Sequence, residues 1–375
     1  MPAYPQTQSY LDDMRGRPFS KFSAQIEEMG TPTYPLHIGD TYLEPFQGAR
    51  IEDVHLSDHP NAHKYISPKG HPHLIRILSE EYDTSEELIQ ITPGATGALH
   101  ILALTMLSPG DEVLILAPYW PLASGIVRAV GAVPICVPFY DKEGSIEDRI
   151  EPYLSNRTVA IYYNSPNNPT GLILNPSEVE ELACFCREQN LWIFSDEVYE
   201  RLIFMGTSVP IRLFAPERTV SLFSFSKAYA MAGYRCGFLL LPSKVIAAKI
   251  NKAVVHSFYS VSTPAQIAAA NVVQHGKLWI QQTREAYQST AIKCAELLQQ
   301  PVPAGGTFLF FDVSSYLGDR TFDDILLACI QQKLLLAPGS AFGKGYEDYI
   351  RVCFTSVKPD IVLNGMKILS DILND

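Results

Sequence analysis

The sequence predicts an α/β protein: a large domain with a mostly parallel sheet flanked by helices, plus a smaller α+β domain. Three observations carry this. Between about residues 74 and 241, short apolar runs alternate with segments of helical periodicity, the pattern of strands buried on both faces by intervening helices. After Pro242 the texture changes to longer helical stretches with few strand-like runs. At 375 residues the chain also exceeds the size at which a single hydrophobic core keeps growing.

The elements follow in order. Pro2, Pro5, Pro18, Pro32, Pro35 and Pro45 interrupt the first 45 residues, which read as an irregular arm and a loop, with Gly39-Asp40-Thr41 as the sharpest turn signal. Helices are expected from Leu74 to Tyr82 and from Thr96 to Leu107, the second stopped by Ser108-Pro109-Gly110-Asp111. Strands are expected at 112–116, 132–137, 159–163, 191–195, 219–223 and 236–241, with helices near 122–130 and 177–189. Beyond Pro242 come a helix at 278–299, a strand at 307–312, a helix at 322–333, a strand at 349–354 and a closing helix from Pro359. The resulting division is an arm and part of the small domain at 1–45, a large domain at 46–255 and a small domain at 256–375.

Composition narrows the function. Hydrophobic residues at 47% and charged residues at 18% describe a chain that buries a large core. A net charge of −11 without a basic run argues against nucleic acid, whose phosphates require clustered Lys and Arg. The seven cysteines are scattered, which fits a reducing compartment rather than a disulfide framework. Cys184 and Cys186 fall on an expected helix, where positions two apart do not share a face, so packing outweighs a metal site there. No apolar stretch reaches membrane-spanning length, and the start, with Asp12 and Asp13, does not resemble a signal peptide. A soluble, cytoplasmic protein is expected.

Four segments carry chemistry. Ser224-Phe225-Ser226-Lys227 follows an apolar strand. An amine buried there would favour its neutral, nucleophilic form, while the hydroxyls and Arg235, eight residues beyond Lys227, would suit a phosphate. The competing reading of Lys227 is a solvated loop lysine. Asp196 and Tyr199 close the strand that begins at Leu191, and ligands collect beyond the carboxyl ends of such strands. A lone Asp at that position is more commonly a turn or cap residue. Ser165-Pro166-Asn167-Asn168-Pro169-Thr170-Gly171 makes a rigid loop presenting Asn168 at the same edge. Thr92-Pro93-Gly94-Ala95-Thr96-Gly97 opens a helix whose small residues leave backbone N–H groups free for an anion.

Together, in order and spacing, these segments resemble the class I/II aminotransferases, which are fold-type I pyridoxal-phosphate-dependent enzymes. The resemblance runs from about Gly39 to Arg351. It implies pyridoxal 5'-phosphate as cofactor, carried by Lys227 as a Schiff base, with Lys227 then moving the substrate Cα proton. Asp196 would pair with the pyridine nitrogen, and Asn168 and Tyr199 with the phenolic oxygen. Gly94, Ala95, Thr96, Ser224 and Arg235 would hold the phosphate, and Trp120, or its neighbour Tyr119, would stack on the ring. Tyr65 would reach the phosphate of the neighbouring subunit, implying a homodimer with shared active sites. Gly39 would lie on a substrate loop, and Arg351 would grip the substrate α-carboxylate with a bidentate fork, where the plain reading is a surface ion pair.

The implied reaction is transfer of an amino group between an L-amino acid and a 2-oxo acid. Gly39-Asp40-Thr41-Tyr42 departs from the usual proline-containing turn, and no second arginine for a dicarboxylate is evident, which disfavours an aspartate or glutamate specialist. The same motifs serve C–S β-lyases, aminocyclopropane-carboxylate synthases and cyclases such as capreomycidine synthase. A transcription-regulator sensor domain of this fold would need a DNA-binding helix-turn-helix, for which the proline-rich start leaves no room.

Overall fold

The computed structural model describes residues 20–140 and 143–375. Pro2, Pro5, Asp12, Asp13 and Pro18 lie outside the described residues. The strands are β1 (Tyr34–Pro35), β2 (Ile89–Thr92), β3 (Glu112–Ala117), β4 (Val133–Pro138), β5 (Thr158–Asn164) and β6 (Trp192–Asp196). They continue with β7 (Thr219–Ser224), β8 (Gly237–Leu240), β9 (Phe308–Asp312), β10 (Leu334–Leu335), β11 (Ala337–Pro338) and β12 (Tyr349–Cys353).

Seven of them form one sheet in the order β2-β8-β7-β6-β5-β3-β4. Strand β8 runs antiparallel to both neighbours and every other pairing is parallel. Side chains alternate across it as the pleat requires. Val113, Ile115, Tyr162 and Phe194 pack with Leu99, Leu102 and Val127 of the helices Gly94–Met106 and Leu122–Ala129. Leu114, Leu116, Ile161, Tyr163 and Ile193 pack the other way, against Leu182, Phe185 and Cys186 of the helix Pro176–Glu188. Both faces are therefore covered, which is why these strands read as continuous apolar runs. That last helix starts with a capping box between Asn175 and Glu178 and carries Pro176 in its first turn, a start signal readable from the sequence. On it Cys186 is buried and Cys184 exposed, so the two thiols serve different faces.

The second sheet, β11-β12-β9, is antiparallel. The helices Lys277–Leu298, Phe322–Gln331 and Pro359–Asn374 accompany it. Strand β1 pairs in parallel with β10, tying the start of the described chain to this region.

Three expectations change. The first 45 residues are not wholly irregular: a helix, Ser23–Met29, forms in the proline-free interval between Pro18 and Pro32. Strand β2 was not expected, because Ile-Gln-Ile-Thr is too short to establish a period, and it is stabilised by pairing with β8. The helices Lys244–Ser257 and Thr263–His275 were likewise unread. The second buries most of its circumference, including Ala268, Ala269 and Ala270, which erases the one-sided stripe a surface helix shows. Among the described residues no helix is long and apolar enough to cross a membrane.

Candidate active site

Strands β5, β6 and β7 run parallel, so the segments that follow them emerge along one edge of the sheet. Asn168 follows β5, Asp196 ends β6 with Tyr199 just beyond, and Lys227 follows β7. Arg235 reaches the same edge because β8 is antiparallel: it precedes Gly237, which pairs with Ser224 at the end of β7. Strand β2, antiparallel to β8, delivers the start of the helix Gly94–Met106 there as well. The sheet order thus gathers residues separated by more than a hundred positions.

A cavity of about 240 Å³ lies at this edge. Its wall includes Gly39, Ala95, Thr96, Trp120, Asn168 and Asp196, then Tyr199, Ser224, Lys227, Arg235 and Arg351. Gly94 sits behind it, touching Arg235: a Cβ on Gly94 would approach Arg235 Nη2 to 2.7 Å. Trp120 lines the cavity, whereas Tyr119 is buried and donates its N–H to the Phe342 carbonyl at 2.9 Å. Tyr65 stands apart from the cavity. It is 89% exposed and its ring lies 5.1 Å from that of Tyr259.

At one end the site is built for an anion. The helix Gly94–Met106 begins without a side-chain cap, leaving its first N–H groups and the positive end of its dipole available. Ser224 and Ser226 face each other with hydroxyls 2.9 Å apart. Arg235, in the left-handed region at φ 52°, donates to the Ala232 carbonyl at 2.8 Å and approaches Ser226 Oγ at 3.5 Å. No carboxylate pairs with it among the described residues.

At the other end, Arg351 is buried, donating Nη1 to Asn168 Oδ1 at 2.9 Å and Nη2 to the His37 carbonyl at 2.7 Å. Its guanidinium lies over the Phe308 and Phe342 rings, 4.0 and 4.7 Å from their centres. Burial lowers its pKa to about 10, and its Nε has no partner among the described residues. Arg351 is therefore not the surface ion pair its sequence position alone would suggest. A buried, under-satisfied guanidinium with no counter-ion among the described residues fits a carboxylate ligand.

Between these ends, Lys227 Nζ donates to the Gly39 carbonyl, and desolvation favours its neutral form. Gly39 is required by close approach, since a Cβ there would meet Phe308 Cζ at 2.6 Å. Its loop is stitched to β12 and the residues beyond: the Cys353 N–H donates to Leu36 O at 2.8 Å and Thr355 Oγ1 to Asp40 O at 2.7 Å. Thr41 Oγ1 also contacts the Tyr287 hydroxyl, so the atypical turn Gly39-Asp40-Thr41-Tyr42 has its own anchors. Asp196 is buried and has no ion pair among the described residues; burial raises its pKa to about 6. Tyr199 is also buried, which pushes its hydroxyl upward so that it remains a donor. A lone buried carboxylate facing a cavity fits a cationic ring nitrogen, so the donors present fit pyridoxal 5'-phosphate at phosphate, ring and lysine alike.

Sequence reasoning missed several wall residues. Asn164 donates its Nδ2 to the Asp196 carbonyl at 2.9 Å and accepts the Asn168 N–H at 2.6 Å. Ser226, one of the hydroxyls beside Lys227 expected to suit a phosphate, lines the cavity as well. Phe308, Val198 and Ala232 also line the cavity. Asn164 was the most findable, because it ends β5 one step before the proline loop.

A sheet edge that brings a half-buried lysine, a buried aspartate and two arginines to one cavity fits a fold-type I cofactor-dependent enzyme site. The family model for "Aminotransferase class I and II" matches residues 34–366, and the chain belongs to that family. It is 33% identical over 274 residues to the aspartate/prephenate aminotransferase of Thermus thermophilus, covering 68% of this chain and 71% of that one. Aromatic-amino-acid aminotransferase 2 of Thermococcus litoralis is 31% identical over 285 residues, 72% of each chain. In fold, a single mutant of the Thermus thermophilus aspartate aminotransferase superposes with a TM-score of 0.90, at 24% identity, over 98% of this chain and 100% of that one.

Proposed function

We propose that the protein binds pyridoxal 5'-phosphate at this site and transfers an amino group between an L-amino acid and a 2-oxo acid, acting as a homodimer with shared active sites. The observation that carries the amino-acid assignment is Arg351: its buried fork faces the cavity of Lys227 and Asp196 with no carboxylate paired to it among the described residues. The family match and the aminotransferase relatives support transamination over elimination or cyclisation. A cytoplasmic location is part of the proposal, supported by seven cysteines with no disulfide.

When bound, the cofactor supplies a conjugated ring that accepts the electron pair left at the substrate Cα after proton loss. The protein's residues do the rest. Lys227 would hold the cofactor through Nζ and, once released from it, take the proton from the substrate Cα. Asp196 would keep a proton on the ring nitrogen, and Asn168 and Tyr199 would donate to the phenolic oxygen. Trp120 would form the wall against the ring face. The first turn of the Gly94 helix, with Ser224, Ser226 and Arg235, would bind the phosphate, and Arg351 would orient the α-carboxylate. The Gly39 loop would cover Lys227 and restrict water.

The proposal is tested by incubating the purified, cofactor-loaded protein with an amino-acid panel and a 2-oxo acid. Formation of the matching keto acid and new amino acid is the expected result. Pyruvate plus ammonia without acceptor would replace transamination by β-elimination. Arg351→Ala should lower kcat/KM for amino acids by roughly 30- to 1000-fold, the loss of about 2–4 kcal/mol of charge-assisted contact. Amines lacking a carboxylate should be little affected, and an equal loss for both would remove Arg351 from this role.

Exposed Tyr65 motivates the subunit test. Tyr65→Phe protomers mixed with Lys227→Ala protomers form a heterodimer in which one site carries both changes and the other carries neither. Activity should therefore rise above the weighted sum of the parents. Proven subunit exchange without that rise would show that Tyr65 does not act across the interface.

A further inference from the structure

We propose that Tyr162 is a positioning residue for this reaction: its buried hydroxyl donates to Asp196 Oδ2 and holds that carboxylate as an anion aimed into the cavity. The proposal rests on the role given to Asp196 above.

Tyr162 and Asp196 lie on adjacent parallel strands, Tyr162 opposite Phe194 and Asn164 opposite Asp196 in the register of β5 against β6. The Tyr162 side chain is fully buried and its O–H is directed at Oδ2. Among the described residues the other oxygen, Oδ1, accepts only the more distant Val198 N–H at 3.3 Å. None of the other titratable groups facing Asp196 donates to its carboxylate among the described residues. Lys227 on the far side of the cavity donates to Gly39 O, and Tyr140, behind Tyr162, donates to Asn164 O at 2.8 Å. Tyr199 beyond β6 lies against Phe308, their ring centres 6.0 Å apart. Tyr162 is therefore the one side-chain donor to the Asp196 carboxylate among the described residues.

A dry carboxylate without a cation reverts toward its neutral form unless a donor compensates. Burial pushes the Asp196 carboxyl up, and the Tyr162 hydrogen bond is the largest effect opposing it. Burial also holds the Tyr162 phenol far above neutral pH, so this hydroxyl always donates. Packing alone would be served equally well by phenylalanine, whose ring would fill the same place among Val113, Ile115 and Phe194. The hydroxyl is what the core does not need and Asp196 does.

The test reads the carboxyl directly, in cofactor-free protein. Aspartate is labelled with ¹³C and the Asp196 signal is identified by its loss in Asp196→Asn. In wild type it should titrate near 6. In Tyr162→Phe the midpoint should rise by about one pH unit, a tenfold change in the ionisation equilibrium. Placing 3,5-difluorotyrosine at 162, a stronger donor, should move it the other way. Midpoints that coincide across the three proteins would overturn the proposal. If Tyr162→Phe does not fold, the difluorotyrosine protein decides alone. Titration with pyridoxal 5'-phosphate, followed by visible absorbance, separates the two readings. Roughly tenfold weaker uptake by Tyr162→Phe is expected for one lost hydrogen bond to a charged group. Wild type that takes up no cofactor would remove the proposed function, while the carboxyl midpoints would still report on Tyr162.

Discussion

Lys227→Ala is expected to abolish turnover, by about five orders of magnitude or more, while leaving the fold intact. Nζ makes one hydrogen bond, to the Gly39 carbonyl, so its removal takes little from the core. It takes everything from the chemistry, because Lys227 is the only lysine on the cavity wall among the described residues. One side chain would supply both the covalent attachment of the cofactor and the base that moves the Cα proton, and general-base catalysis alone is worth roughly 10²–10⁴. Borohydride should fix pyridoxal phosphate to Lys227 in wild type, with the label located by peptide mass. Label on another lysine, or a protein that stays colourless with added cofactor, would sink the assignment.

Asp196→Asn is expected to slow Cα deprotonation by several orders of magnitude, at about 1.4 kcal/mol per decade. A neutral amide cannot hold a proton on the ring nitrogen, and the ring then withdraws electrons less strongly. The same change should stabilise the cofactor-free protein. Burial raises the folded pKa of Asp196 from 3.8 to about 6, so the native state binds this proton more tightly than the unfolded chain. Stability therefore falls as pH rises from about 4 through about 6 and levels off above. The ionised group costs about 3 kcal/mol at pH 8, at 1.36 kcal/mol per pKa unit. Asparagine removes that cost, and the Tyr162 hydroxyl can still donate to its Oδ1. Denaturation at pH 8 should show the variant more stable, with the advantage disappearing near pH 4. A near-normal rate would show that the aspartate makes no such pairing, and a variant less stable at pH 8 would show that Asp196 is not strained by burial.

The residues that would hold the cofactor were legible because their chemistry is local. Asn168, Asp196 and Lys227 each follow an apolar run and sit among residues that make turns, so strand end and side chain announce each other. Arg235 and the Gly94 segment were readable for the same reason. Tyr162 was not. Within β5 it is one aromatic residue in an apolar run, and nothing in its own neighbourhood distinguishes a packed ring from a donor to the next strand. Asn164 and Phe308 were hidden similarly, because their role depends on what faces them across the fold. The helix Thr263–His275 escaped notice because burial on several sides leaves no periodic stripe.

By itself, the sequence determined the α/β class, the sheet covered on both faces, and the set of residues available for chemistry. Periodicity and turn residues act over a few positions, and these features need nothing more. The tertiary structure decided how those residues converge. Only the antiparallel placement of β8 brings Arg235 to the edge shared by β5, β6 and β7. Only the closing of the β12 region over the Gly39 loop sets Gly39 against Lys227 and leaves Arg351 buried without a counter-ion among the described residues. The physical reason is that a strand's pattern says which of its faces is apolar but not which strand will pair with it. That choice is made by hydrogen bonding and packing between segments far apart in the chain.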